Sequence, residues 1–154
     1  YRRQRQMCIR DSDYFVRDAV SKGAVIKLGG QKPVGKGFFY PPTVITNVPD
    51  TAECLSDEIF GPVAAIQTFS DEMEIVQRSN ATEYGLVAYV YTSDMKRGMR
   101  ISESLEFGMI GLNRGLVSDP ASPFGGVKQS GLGREGGKEG MLEFQETQYI
   151  STEW

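Results

Sequence analysis

Histidine is absent from the 154 residues of this chain. That absence excludes imidazole triads, most zinc centres and the commonest general base in one step. Only two cysteines occur, Cys8 and Cys54, too few for a disulfide framework and wrongly spaced for zinc. No metal site is expected. No apolar run comes near the roughly 20 residues that a membrane span requires, so no membrane partner is expected either. An excess of basic charge is also missing: 17 Lys and Arg stand against 20 Asp and Glu, a net charge of −3. Nucleic-acid-binding domains usually carry a basic patch or stripe, so nucleic acid is excluded as a partner. Any catalysis must rest on carboxylates, backbone groups or something the chain does not contain.

What is present suits one folded domain. Hydrophobic residues make up 40% of the chain, and a domain of this size hides roughly 70% of the surface its unfolded chain exposes. With 18 Gly and 7 Pro, the composition is neither collagenous nor disordered. Residues 1–12 stand apart, with four arginines, two glutamines and no amphipathic period. They lack the apolar stretch of a secretion signal. They read as a non-native basic prefix, similar to translated sequencing-adapter sequence, with a frayed basic terminus as the alternative. The fold is expected to begin at residue 13.

Beyond that point strands and helices alternate. Ser12 or Asp13 is placed to cap a short helix with Phe15, Val16, Ala19 and Val20 on one face and Gly23 at its end. Residues 24–28 and 43–48 read as short strands. Residues 63–69 form an apolar strand, and Ser70 is placed to cap a helix running to about Asn80. A strand over 86–92, a helix over 94–105 and a strand over 109–113 follow. Near-continuous apolar strands alternating with helices predict an α/β fold, a parallel sheet covered by helices. Residues 13–144 are assigned to this body. Ten of the glycines fall between Gly108 and Gly140, and so long a glycine-rich stretch after the last buried strand points to function. A short helix is expected over 138–144. Residues 145–152 then read as a terminal strand too polar for a core, which must pair at an edge, with another subunit as a candidate partner.

Two phosphate-binding patterns fail on inspection. Gly30 to Gly37 matches a phosphate loop except at its last position, where Gly37 replaces the required Ser or Thr. Pro41 and Pro42 then prevent a helix from opening there. Gly131-Leu-Gly133-Arg-Glu-Gly136 spells a dinucleotide fingerprint, but loop chemistry rather than a strand precedes it.

Four motifs do agree in order and spacing: Glu58-Ile-Phe-Gly-Pro-Val63, Glu83-Tyr-Gly-Leu86, Ser122-Pro-Phe-Gly-Gly126 and Lys128-Gln-Ser-Gly-Leu-Gly-Arg-Glu135. Together they resemble the NAD(P)-dependent aldehyde dehydrogenase superfamily, from about Tyr14 to the end. Residues 108–118 with Phe124 look most like its succinate-semialdehyde branch. Members are far longer, so the chain resembles a C-terminal fragment: the later part of the catalytic domain, then an oligomerisation strand at 145–154. The resemblance implies NAD or NADP as cofactor and a small aldehyde as substrate, with succinate semialdehyde oxidised to succinate as the expected case. It implies a homo-oligomer, dimer or tetramer, in the cytoplasm.

In that family a cysteine thiolate attacks the aldehyde, hydride passes to the nicotinamide, and a glutamate activates the water that hydrolyses the thioester. Nucleophile and base lie upstream in the relatives, so no catalytic residue is assigned here and the chain is expected to be inactive alone. Cys54 does not match the nucleophile motif and reads as a structural thiol. The resemblance assigns Glu58 to the nicotinamide-ribose hydroxyls, against a plain loop acid. Phe60 is assigned to the nicotinamide ring, with core packing equally open. Phe124 is assigned to the aldehyde pocket. Ser118 is assigned to the distal carboxylate of the substrate, with a turn role beside Asp119-Pro120 as the alternative. Glu135 matches a carboxylate that relays protons, or else one that pairs with a structural arginine. Arg134 and Glu146 are read as architectural. The alternatives to the whole reading are another aldehyde class and a non-catalytic α/β assembly module.

Overall fold

The computed structural model describes the chain from Arg2 to Trp154, with side chains from Cys8 onward. The chain divides into two units, residues 1–70 and Asp71–Trp154.

In the first unit, helix α1 (Arg2–Ser21) precedes a three-stranded sheet of β1 (Val25–Leu28), β2 (Thr43–Thr46) and β3 (Val63–Ile66). The helix starts well ahead of the cap expected at Ser12 or Asp13. Ser12 instead sits inside it, buried, its hydroxyl donating to the Cys8 carbonyl one turn back at 2.7 Å. A serine satisfied this way does not break the helical ladder. Phe15, Val16 and Ala19 point into the core as their spacing predicts, whereas Val20 lies largely outside it. They meet Ala24, Tyr40, Ile45, Val48, Ala52 and Cys54, with Ile9 and Ile59 packed at the margin.

Polar groups fasten α1 to a 3-10 turn at Glu53–Leu55. Asp18 pairs with Lys22 at 2.6 Å and accepts the Glu53 backbone N–H at 2.9 Å, while the Tyr14 hydroxyl donates to the Glu53 carboxylate at 2.8 Å. Strand β2 runs parallel to β3 and antiparallel to β1. The buried Thr43 hydroxyl accepts the Gly30 N–H and donates to the Pro41 carbonyl, closing the loop before β2.

The second unit contains α2 (Glu72–Asn80), the short β4 (Tyr84–Gly85), β5 (Val87–Val90), α3 (Met95–Ser104), β6 (Met109–Leu112), β7 (Val127–Lys128) and α4 (Glu139–Leu142). Asp71, rather than Ser70, caps α2: its side chain accepts the Glu74 N–H at 2.7 Å, which satisfies a donor at the helix start. Asp94 does the same for α3 through the Arg97 N–H at 3.1 Å. Strands β5 and β6 pair in parallel with α3 between them in sequence and packed on both. Past their ends, the Asn113 amide accepts the Thr92 N–H and donates to the Thr92 carbonyl, both at 2.8 Å, so a side chain extends the ladder one step.

The parallel pairs β2–β3 and β5–β6 meet the expectation of an α/β fold with parallel strands. Three separate sheets are present among the described residues, two of them containing antiparallel pairs. Residues 145–154 adopt no strand within the chain. Tyr149, Ile150 and Trp154 stand exposed there. No helix among the described residues is long and apolar enough to cross a membrane.

Candidate functional site

In the first unit, the 3-10 turn hands the chain to an irregular segment carrying Glu58, Ile59 and Phe60. Ile59 tucks against the core and anchors the segment. Glu58 and Phe60 on either side of it are exposed, Phe60 to 70%. That exposure removes core packing as the account of Phe60 within this chain. No hydrogen bond or ion pair engages the Glu58 carboxylate among the described residues. Cys54, just upstream, faces the other way, into the core. Burial, reinforced by the Asp18 charge, raises its thiol pKa. A thiol held protonated is a poor nucleophile, so Cys54 serves packing.

In the second unit, a cavity of about 260 Å³ is lined by Leu86, Phe124, Ser130, Arg134, Glu135 and Glu143 together with glycines of the loop. Phe124 and Glu135 are brought together directly. Each donates its backbone N–H to the other's carbonyl at 2.7 Å, an isolated antiparallel bridge across the glycine-rich loop. The Glu135 carboxylate has no ion pair among the described residues, so the arginine pairing left open by the sequence does not form. Arg134 is architectural: its guanidinium donates to the Gly126 and Gly133 carbonyls at 2.8 and 2.7 Å. Ser118 is exposed and outside the cavity lining. Beside it, Asp119 turns its carboxylate onto the Ala121 N–H at 2.8 Å, forming a local turn.

Sequence reasoning missed two residues that shape this loop. Lys128 takes a left-handed φ of 56° and sends its ammonium to the Asn80 and Thr82 carbonyls at 2.8 and 3.2 Å, and to Glu106 at 2.7 Å. Glu143 reaches back to the Arg134 N–H. Neither position has a local signal, because both partners lie far away in sequence or at a turn that only folding creates. No group of three acidic or sulfur side chains able to hold a metal ion gathers among the described residues.

The model of the aldehyde dehydrogenase family matches residues 6–150. This chain belongs to the aldehyde dehydrogenase family. The resemblance read from its four ordered motifs is therefore borne out. A succinate-semialdehyde dehydrogenase of Paenarthrobacter nicotinovorans is 53% identical over 140 residues, covering 91% of this chain and 31% of the relative. A glutarate-semialdehyde dehydrogenase of Pseudomonas putida is 47% identical, covering 88% of this chain and 28% of the relative. Among solved structures, an aldehyde dehydrogenase from Brucella melitensis biovar abortus superposes with a TM-score of 0.88 at 45% identity, covering 94% of this chain and 29% of that one. The chain thus spans under a third of the length of these aldehyde dehydrogenases. That share agrees with the partly exposed β3 and β5, since strands of this apolar character are ordinarily covered on both sides.

Proposed function

We propose that this chain supplies the nicotinamide-contacting and aldehyde-lining part of an NAD- or NADP-dependent dehydrogenase that oxidises succinate semialdehyde to succinate. The observation that carries the reading is the 53% identity to a succinate-semialdehyde dehydrogenase over 140 residues. The glutarate-semialdehyde relative supports the same substrate chemistry, an aldehyde ending in a carboxylate.

The residues present fit one end of a dinucleotide. Glu58 offers an unengaged carboxylate to the ribose hydroxyls, and charged hydrogen bonds of this kind contribute roughly 1.5–3 kcal/mol each. Phe60, 70% exposed, offers a flat apolar face to the nicotinamide ring. When bound, the nicotinamide supplies a hydride acceptor. Phe124 lines the aldehyde pocket and Glu135, a carboxylate on the cavity wall, moves protons; Ser118, exposed and outside that lining, is assigned to the distal carboxylate where the substrate extends beyond the cavity. Burial of Cys54 supports assigning the reacting thiolate to the length of the relatives that this chain does not span. Residues 145–154 add as a strand to a second copy, which their exposed Tyr149, Ile150 and Trp154 support.

A chimera tests the proposal. The matching segment of the Paenarthrobacter enzyme is replaced by this chain and assayed beside the 154-residue chain alone. The chimera is expected to oxidise succinate semialdehyde, to prefer it over an aldehyde lacking the carboxylate, and to elute as a dimer or tetramer. The chain alone is expected to show no turnover. Turnover by the chain alone, or a folded chimera that binds cofactor yet ignores the semialdehyde, overturns the reading. Glu58→Gln in the chimera is expected to slow single-turnover hydride transfer about tenfold while weakening cofactor binding less, and an unchanged rate removes the role given to Glu58.

A further inference from the structure

The turn at 131–134 holds a carboxylate that the proposed function does not use. Glu143 follows α4, and its Oε1 accepts the Arg134 backbone N–H at 3.2 Å. The same carboxylate occupies the space above Gly133: a Cβ built there would come within 3.2 Å of Glu143 Cδ and Oε2. Gly133 also adopts φ +87°, which favours glycine, and any side chain there would push the Glu143 carboxylate aside by a few tenths of an ångström. The Arg134 guanidinium is committed to the Gly126 and Gly133 carbonyls. Glu143 therefore grips the backbone of the turn from one side while that guanidinium grips it from the other. Directly after Arg134 comes Glu135, bridged to Phe124 through two 2.7 Å bonds.

We propose that Glu143 is a positioning residue: its carboxylate fixes the Gly133–Arg134 turn and, through it, the Phe124–Glu135 bridge on the cavity wall. The consequence for aldehyde binding rests on the reading of Phe124 as a substrate-lining residue. The hydrogen bond itself does not. Glutamine at 143 retains an acceptor oxygen at the same reach, whereas alanine leaves the Arg134 N–H to water.

Two measurements test this. In the full 154-residue chain, amide exchange at Arg134 is expected to speed up about threefold to tenfold in Glu143→Ala, the range a modest exposed hydrogen bond implies. It should stay near the parent rate in Glu143→Gln, with the Val16 amide unmoved in both. In the chimera, Glu143→Ala is expected to raise the aldehyde KM about threefold at constant kcat and constant cofactor KM, with rescue by Glu143→Gln. A merely structural role would lower kcat through loss of active enzyme and leave both KM values alone. Equal Arg134 exchange in Glu143→Ala and the parent overturns the proposal, as does a loosened turn with an unchanged aldehyde KM in a chimera whose Phe124→Ala variant raises that KM; if Phe124→Ala leaves it unchanged too, the substrate-lining reading of Phe124 fails instead. A parent chimera without activity sinks only the enzymatic reading, and the exchange experiment then decides the role of Glu143.

Discussion

The two units of this chain are held together by different means. Among the described residues, every buried large hydrophobic side chain lies in the first unit, with Val16 and Ile45 almost fully removed from water. In residues 71–154 the only fully buried positions are glycines: Gly85, Gly98, Gly111, Gly126 and Gly140. Apolar burial secures the first unit. The second is secured by close backbone approach and by polar staples such as Lys128, which ties together the carbonyls of Asn80 and Thr82 and the carboxylate of Glu106. Close-packed side chains feel the loss of even one methylene, whereas glycine lets another backbone or a ligand approach closely. The cavity bearing Phe124 and Glu135 accordingly lies in the glycine-backed unit, and the apolar core lies under Glu58 and Phe60.

The comparison is sharpest where one apolar side chain is cut back in the first unit and one methyl is added in the second. Ile45→Ala removes a side chain at 0% exposure and is expected to cost about 2–5 kcal/mol. Amide exchange should rise through residues 24–66 more than through 84–128; the opposite distribution breaks the contrast. Gly126→Ala adds a methyl 2.7 Å from the Ser130 Cβ and 3.2 Å from the Gly85 carbonyl oxygen. Crowding of that kind costs about 1–3 kcal/mol and should release the bond from the Gly85 N–H to the Ser130 hydroxyl. A thermal midpoint equal to that of the parent would show that the glycine backing is dispensable.

The smallest effect is expected in acid. Asp18 is held below its ordinary pKa of 3.8, first by Lys22 and then by the Glu53 backbone N–H. A carboxylate depressed in the folded state stabilises it above the ordinary value, and that contribution is lost as pH falls through the lower folded value. The difference in Tm between the parent and Asp18→Asn should therefore narrow below about pH 4. A difference that stays constant from pH 6 to pH 3 removes Asp18 from the acid response.

Much of the local structure was legible because it depends on neighbours in sequence. The face Phe15-Val16-Ala19, the helix beginning at Asp94 and the strands centred on residues 88 and 110 follow from period and capping alone. Boundaries slipped where a side chain had two local uses. Ser12 bonds back into its own helix instead of capping it, and Asp71 displaces Ser70 as the cap of α2. Candidate site residues could be named from the four motifs and, for Ser118, from the 108–118 stretch, but their arrangement could not. The pairing of Phe124 with Glu135 spans a loop whose closure depends on left-handed backbone at several positions, and no local pattern encodes that meeting.

By itself, the sequence determined the family, the alternation of elements and the want of an imidazole, since each is written in residue type and spacing. Only the tertiary structure decided which strands pair, that Cys54 is sequestered, that Ser118 stands away from the cavity, and that Lys128, Arg134 and Glu143 brace the loop. The reason is physical. Type and spacing act over a few residues, whereas burial and hydrogen-bond partners are set by chain segments that meet only once the backbone has closed.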